Sequence, residues 1–212
     1  MHSQNSILIE AQYFPPISYF SLFYHPTFDT LILEAHENYQ KGSYRNRCHI
    51  TNSTGMQVLS VPLLKGKNQK QPIRDVRIAY DQDWQKQHWQ SIRTAYGSAP
   101  FWDYYAPMLE PFFTKKYDYL FDLNGQIIDT IFKILKLHKS INITLSNDYE
   151  LNITDGWDYR HIILPRKNSF QGEKYAQIFQ EKTGFLPNLS ILDLILCTGT
   201  QAGEILKKST FQ

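Results

Sequence analysis

Cysteine is almost missing from this chain. Only Cys48 and Cys197 occur in 212 residues, far apart, so neither a disulfide framework nor a cysteine-based metal site can be built from them. That usage is typical of a reducing compartment, and a cytoplasmic location is expected. Long apolar runs are also missing: no window reaches the ~18 apolar residues that span a bilayer. Residues 1–12 do not follow a cationic head with a long apolar stretch, as a secretion signal would. Charge of one sign does not accumulate, because 22 basic and 20 acidic residues are interspersed to a formal net charge of +2. Without a polybasic block, nucleic acid and anionic lipid are not expected partners. The chain has no nucleophile-elbow Gly-x-Ser-x-Gly, no glycine-rich phosphate loop and no metal-spaced His/Cys cluster. Serine-hydrolase, P-loop and zinc chemistry are therefore unsupported, and neither a metal nor another cofactor is expected.

What is present suits one domain over residues 1–212, since 42% hydrophobic content over this length buries a sizeable core. Ile7-Leu8-Ile9 reads as a strand, Pro15-Pro16 as a turn, residues 17–24 as a helix and residues 30–35 as a second strand. Strand, helix, strand is the order of a parallel βαβ unit, which places Leu8, Ile32 and Leu33 on adjacent central strands and a ligand site outside their carboxyl ends. Residues 45–50 and 56–63 are expected to pair as a hairpin, and residues 73–80 alternate like a further strand. Helical spacing then runs through residues 84–96, 101–113 (interrupted by Pro107 and Pro111) and 124–137, before a strand over 141–145. Residues 147–171 read as irregular, and 175–180 and 190–197 as helices, with Ser190 and Asp193 in a capping-box pattern. The fold class is α/β: a single domain with a mixed, partly parallel sheet and a helical middle region.

The run from Tyr39 to Ile50 concentrates cations, amides and aromatics. If its second half is extended, Arg45, Arg47 and His49 stand on one face, a platform whose guanidinium forks match a phosphate or carboxylate. A solvated strand with paired surface charges is the competing reading. Alternation turns Cys48 away from these cations, which argues against a reactive thiol. His88 shares the apolar face of the 84–96 helix, where it serves either as a core histidine or as a proton acceptor. Aromatics make up 15% of the chain, 14 of them tyrosine, enough for a Tyr-lined cleft as well as a core.

Several separated segments resemble the WbqC-like proteins, which are usually encoded among genes for O-antigen and other surface polysaccharides. They are Tyr13-Phe14-Pro15 with Tyr19-Phe20, Tyr39-Gln40-Lys41 with Asn46-Arg47, and Asp83-Trp84 with His88, Tyr96 and Ala99-Pro100-Phe101. Leu120-Phe121-Asp122-Leu123-Asn124 and the run from Gly184 to Leu194 complete the set. His36-Glu37-Asn38-Tyr39 and Tyr44-Arg45-Asn46-Arg47-Cys48 look like the short form found in Bacteroidetes. Where the family runs into a His-Gln-Pro-Asn-Tyr-like motif, this chain has Ile9-Glu10-Ala11-Gln12-Tyr13, so no role for that histidine carries over. The resemblance implies a small anionic ligand, a nucleotide-linked amino sugar, and acyl or aminoacyl transfer to its amine. Non-catalytic sugar-nucleotide binding or scaffolding is the alternative, with nucleotidylyl transfer disfavoured because the paired phosphate-contacting histidines are absent. In the transferase reading Lys41, Arg45 and Arg47 hold the diphosphate, His88 or Glu37 accepts the ammonium proton, and Asn46 or Tyr39 stabilises the oxyanion, with Tyr96 among the substrate-binding residues. No oligomeric state is implied.

Overall fold

Ile7-Leu8-Ile9 has no polar position to turn outward, so a strand made from it must be covered on both faces, the condition met inside a parallel sheet. The computed structural model describes residues 5–24, 27–64, 71–151, 153, 155–166 and 170–211. In it this strand is β1 (Ser6–Glu10), every residue of which is buried. The chain passes Pro15-Pro16 into α1 (Ile17–Ser21), continues as a 3-10 turn over Leu22–Tyr24, and returns as β2 (Thr30–Glu34), parallel to β1. The register aligns Leu8 with Ile32 and, at the carboxyl ends, Glu10 with Glu34.

β3 (Arg47–Asn52) and β4 (Gly55–Ser60) form an antiparallel hairpin. Its turn is closed by Asn52 Oδ1, which accepts the Thr54 N–H at 2.9 Å, and by Gly55, whose φ of 125° is open to glycine. The helical middle comprises α2 (Trp84–Tyr96), α3 (Trp102–Leu109), α4 (Pro111–Thr114) and α5 (Leu120–Ile134). Pro111 starts α4 at a position where its missing N–H costs nothing, which accounts for the expected break. β5 (Asn142–Leu145) and β6 (Trp157–Asp158) complete a parallel sheet in the order β5-β2-β1-β6. β7 (Phe170–Gln171), α6 (Gln180–Thr183), α7 (Ile191–Thr198), α8 (Ala202–Lys208) and β8 (Thr210–Phe211) follow, with β7 and β8 paired antiparallel. The result is a single α/β domain with parallel and antiparallel strands around a helical middle.

The apolar face of α5 packs Ile127, Ile128, Ile131 and Phe132 into the core, where Phe132 meets Phe20 and Phe23 at ring separations of 6.0 and 5.0 Å. Burying each such side chain stabilises the fold by roughly 1.5–3 kcal/mol. The C-terminal segment is stapled to the Pro15-Pro16 turn. Ser190 Oγ donates to the Phe14 carbonyl at 2.9 Å, the Ile191 N–H donates to the Pro15 carbonyl, and Asn188 Oδ1 accepts the Ser18 N–H.

Three expected elements differ. Residues 73–80 are not a strand but a 3-10 turn (Ile73–Asp75) followed by isolated bridges of Arg77 to Tyr119 and Ile78 to Leu63. Val76 and Ile78 are buried as the alternation requires, yet the backbone of 73–79 bonds residues 37, 62, 64, 118 and 120, none of which belongs to a strand, so no ladder propagates. Helix α5 begins at Leu120 rather than Asn124, and the expected 175–180 helix does not form: residues 175–177 are extended or irregular, with Tyr175 and Gln177 bonded to Asp193, and the short helix α6 starts only at Gln180. Asp193 itself is not a cap. Ser190 alone caps α7, through the Leu192 N–H, while the Asp193 carboxyl is buried and accepts from Tyr175 Oη and Gln177 Nε2. Most of the expected 65–71 loop lies outside the described residues.

Candidate functional site

Each central strand ends in a glutamate, and the direct register sets Glu10 and Glu34 side by side at the carboxyl edge of the sheet, both fully buried. Two adjacent carboxyls are unfavourable unless other groups compensate. The chain supplies two guanidinium groups. Arg160 Nη1 donates to Glu34 Oε2 at 2.9 Å while its Nε and Nη2 hold Asp158, and its guanidinium carbon lies over the Tyr149 ring, 4.8 Å from the centroid. Glu34 Oε1 accepts from Ser146 Oγ at 2.8 Å and from the His36 N–H at 2.9 Å.

Arg45 serves the other side. After Gly42, at φ 82°, Ser43 caps the 3-10 turn Tyr44–Asn46 and points Arg45 inward. Its Nε and Nη2 form a fork onto Glu37 at 2.7 and 2.5 Å, and Nη1 lies 3.7 Å from Glu10 Oε1. Burial disfavours the Arg45 charge, but Glu10 and Glu37 more than offset this and hold its pKa above the ordinary value. Burial pushes the Glu37 carboxyl up to about 7 against the opposing pull of Arg45. Three buried glutamates thus face two arginines, so the cluster carries more carboxyl than guanidinium groups.

Above this floor opens a cavity of about 590 Å³, lined by residues 36–41 with Tyr149 and His161. Glu37, Tyr39 and Lys41 of the expected site residues line it, and Arg45 lies directly beneath. Asn46 supports it from behind: its Oδ1 accepts from Tyr39 Oη at 3.0 Å and its Nδ2 donates to the Val61 carbonyl. Arg47 is half-buried at the start of β3, and its Nε is buried without a hydrogen-bond partner among the described residues.

The expected row of Arg45, Arg47 and His49 does not form. Arg45 belongs to the 3-10 turn, where the attraction of two buried carboxyls draws it inward, so strand alternation begins only at Arg47. His49 is buried against Tyr44, and burial, then Arg47, lower its pKa. Cys48 is fully buried, and burial pushes its thiol pKa up.

His88 and Tyr96 stand outside this cavity. His88 Nδ1 lies 2.9 Å from Tyr13 Oη, its ring bonds the Ser60 backbone and packs on Trp84, and burial pushes its pKa down to about 4. Tyr96 Oη accepts the Thr51 N–H at 3.3 Å and bonds Asp193, whose carboxyl burial raises to about 6. Glu10, Glu34, Arg160, Gln40 and His161 were not among the site residues expected from the sequence. The signal for the first two was present, since both apolar strand runs end in Glu and a parallel register makes them neighbours. Nothing local marks the others.

The chain is matched by the model of the WbqC-like protein family over residues 10–163, from the last residue of β1 to beyond β6, which includes the whole cavity lining. It is 26% identical over 229 aligned positions to the uncharacterized protein Rv1507c of Mycobacterium tuberculosis, covering 94% of this chain and 96% of that protein. No solved structure matches. Among the described residues, no helix is long and apolar enough to cross a membrane.

Proposed function

This chain belongs to the WbqC-like protein family, and from that premise we propose that its cavity receives a nucleotide-linked amino sugar of surface-polysaccharide biosynthesis and presents the amine for acyl or aminoacyl transfer. The observation that carries the reading is the excess of carboxyl groups under an open, tyrosine-flanked cavity: Glu10, Glu34 and Glu37 against Arg45 and Arg160. An ammonium group is the complementary partner for this carboxyl-rich floor, and a sugar ring packs on Tyr39 or Tyr149. In this reading Arg45 orients Glu37, Asn46 orients Tyr39, and Lys41 and Arg47 offer positive charge to the diphosphate. His88 and Tyr96 are assigned to the fold. Within the family we place the chain with the short form seen in Bacteroidetes, on Tyr44-Arg45-Asn46-Arg47-Cys48.

A non-catalytic sugar-nucleotide-binding role uses the same cavity and is favoured by one observation, that both Glu37 oxygens are already held by Arg45. Calorimetry tests the common premise. UDP-glucosamine should bind at least about tenfold more tightly than UDP-glucose at pH 7, a difference of about 1.4 kcal/mol. Equal affinities would remove the amino-sugar assignment.

A further inference from the structure

β5 ends the parallel sheet on one side, and among the described residues no strand pairs with its outer edge. The Asn142 N–H donates to the Asp29 carbonyl at 2.7 Å and the Ser146 N–H to the Leu33 carbonyl at 3.0 Å. Backbone groups alternate in direction along a strand. Residues 142, 144 and 146 therefore address β2, while Ile143 and Leu145 turn their N–H and C=O groups away from it. Natural edges of this kind carry a lysine, a proline or a bulge that discourages pairing. β5 has none of these: Asn142-Ile143-Thr144-Leu145 is uncharged, keeps an unbroken register with β2, and leaves Asn142, Thr144 and Leu145 exposed. The segment that follows exposes two more large apolar side chains, Tyr149 and Leu151. Charge also changes sign along this margin. The exposed Lys136 and Lys139 precede the strand, and the exposed Asp148 and Glu150 follow it. Such an edge is complementary to a copy of itself running antiparallel and repels a parallel one.

We propose that the outer edge of β5 pairs with the same edge of a second copy of this chain, antiparallel across a two-fold axis at Thr144. In that register Ile143 meets Leu145 of the partner subunit, and the two residues exchange both of their outward hydrogen bonds. The contact is isologous, so Leu145 meets Ile143 of the partner subunit in the same way. Two four-stranded sheets become one continuous sheet, and the edge that β5 leaves open is closed. Lys139 comes to the end of the strand pair where Asp148 of the partner subunit lies. Asp148 directly precedes Tyr149 of the cavity lining, so the joint runs beside the mouth of the candidate site. One short strand and its flanks bury less than the roughly 1,200 Å² of a standard interface, and the association is therefore micromolar and responsive to concentration.

Sedimentation velocity of the full chain at low salt, from about 1 to 500 µM, should show the 24.9 kDa monomer passing into a species of twice that mass. A monomer across the whole range overturns the proposal. Leu145→Pro removes an outward N–H and no bond to β2, so the variant should keep the parent's circular dichroism while its dimer Kd rises at least ~tenfold. Leu145→Lys places a guarding charge on the same edge and carries the same expectation if the proline variant fails to fold. Undiminished association of either folded variant would put the contact on another surface and overturn the edge assignment. The direction of pairing is tested by charge. Lys139→Glu should weaken association at least ~fivefold at low salt, and adding Asp148→Lys should bring it back to within about threefold of the parent. Loss without recovery in the double variant overturns the antiparallel register.

Discussion

Acidification should destabilise this protein through His88, by an amount that follows from its surroundings. The imidazole is buried against Tyr13 and Trp84, and its pKa falls to about 4 from the ordinary 6.5. Between those values the folded protein keeps the ring neutral while the unfolded chain protonates it. The unfolded state therefore binds more protons, and stability rises with pH. This contribution is fully present above pH 6.5 and is lost as the pH falls toward 4. A shift of about 2.5 units corresponds to at most ~3.4 kcal/mol, of which ~2 kcal/mol is lost by pH 5. Urea unfolding of the parent and of His88→Gln at pH 7, 6 and 5 isolates the effect. His49, also lowered, and Asp193, whose raised pKa acts in the opposite direction, are common to both proteins and cancel in the difference. His88→Gln should be the less stable at pH 7, and its deficit should shrink by ~2 kcal/mol at pH 5. A deficit that stays constant within ~0.5 kcal/mol over this range would refute the reasoning.

Arg45→Met should cost ~3–5 kcal/mol in urea unfolding at pH 7, because it leaves Glu37 and Glu10 buried without their cation. The double variant Arg45→Met with Glu37→Met should recover part of that loss, and no recovery would show that the pair is not the coupled unit. Lys41→Ala, at an exposed position on the cavity rim, should change stability by less than ~0.5 kcal/mol and weaken UDP-glucosamine binding in a way that fades as salt is raised. Salt-independent loss would point away from a charge contact with the diphosphate. Cys48 should resist a thiol reagent such as DTNB in the native protein at pH 8 and react on denaturation in guanidinium, since burial both covers the thiol and raises its pKa. Fast native labelling at Cys48 would contradict its place in the core.

The cleft was legible in part. Residues 36–41 follow directly on β2, so the rule that parallel sheets bind at their carboxyl edge locates them correctly from sequence order alone. The arrangement of charge there was not legible. Arg45 reads as an outward anion binder when its segment is taken as extended, because the pattern around it contains no carboxylate close enough to claim it. Its partners sit 8 residues away at Glu37 and 35 positions back at Glu10, and only folding brings them within reach.

Periodicity and turn chemistry are local properties, and they settled what they govern: the βαβ opening, the hairpin, the amphipathic α2 and α5, and the break at Pro111. Strand pairing and charge compensation are not local. Residues 73–80 carry a strand's alternation, but pairing needs a partner strand's backbone, and the fold offers loops and the start of α5 there instead. Likewise His161 stands in a segment without apolar pattern, so no property of its neighbours marks it. Its place beside the cavity arises from contacts with Gln40 and Glu10, 121 and 151 residues away, and these long-range contacts exist only once the parallel sheet has set Glu10 at its edge.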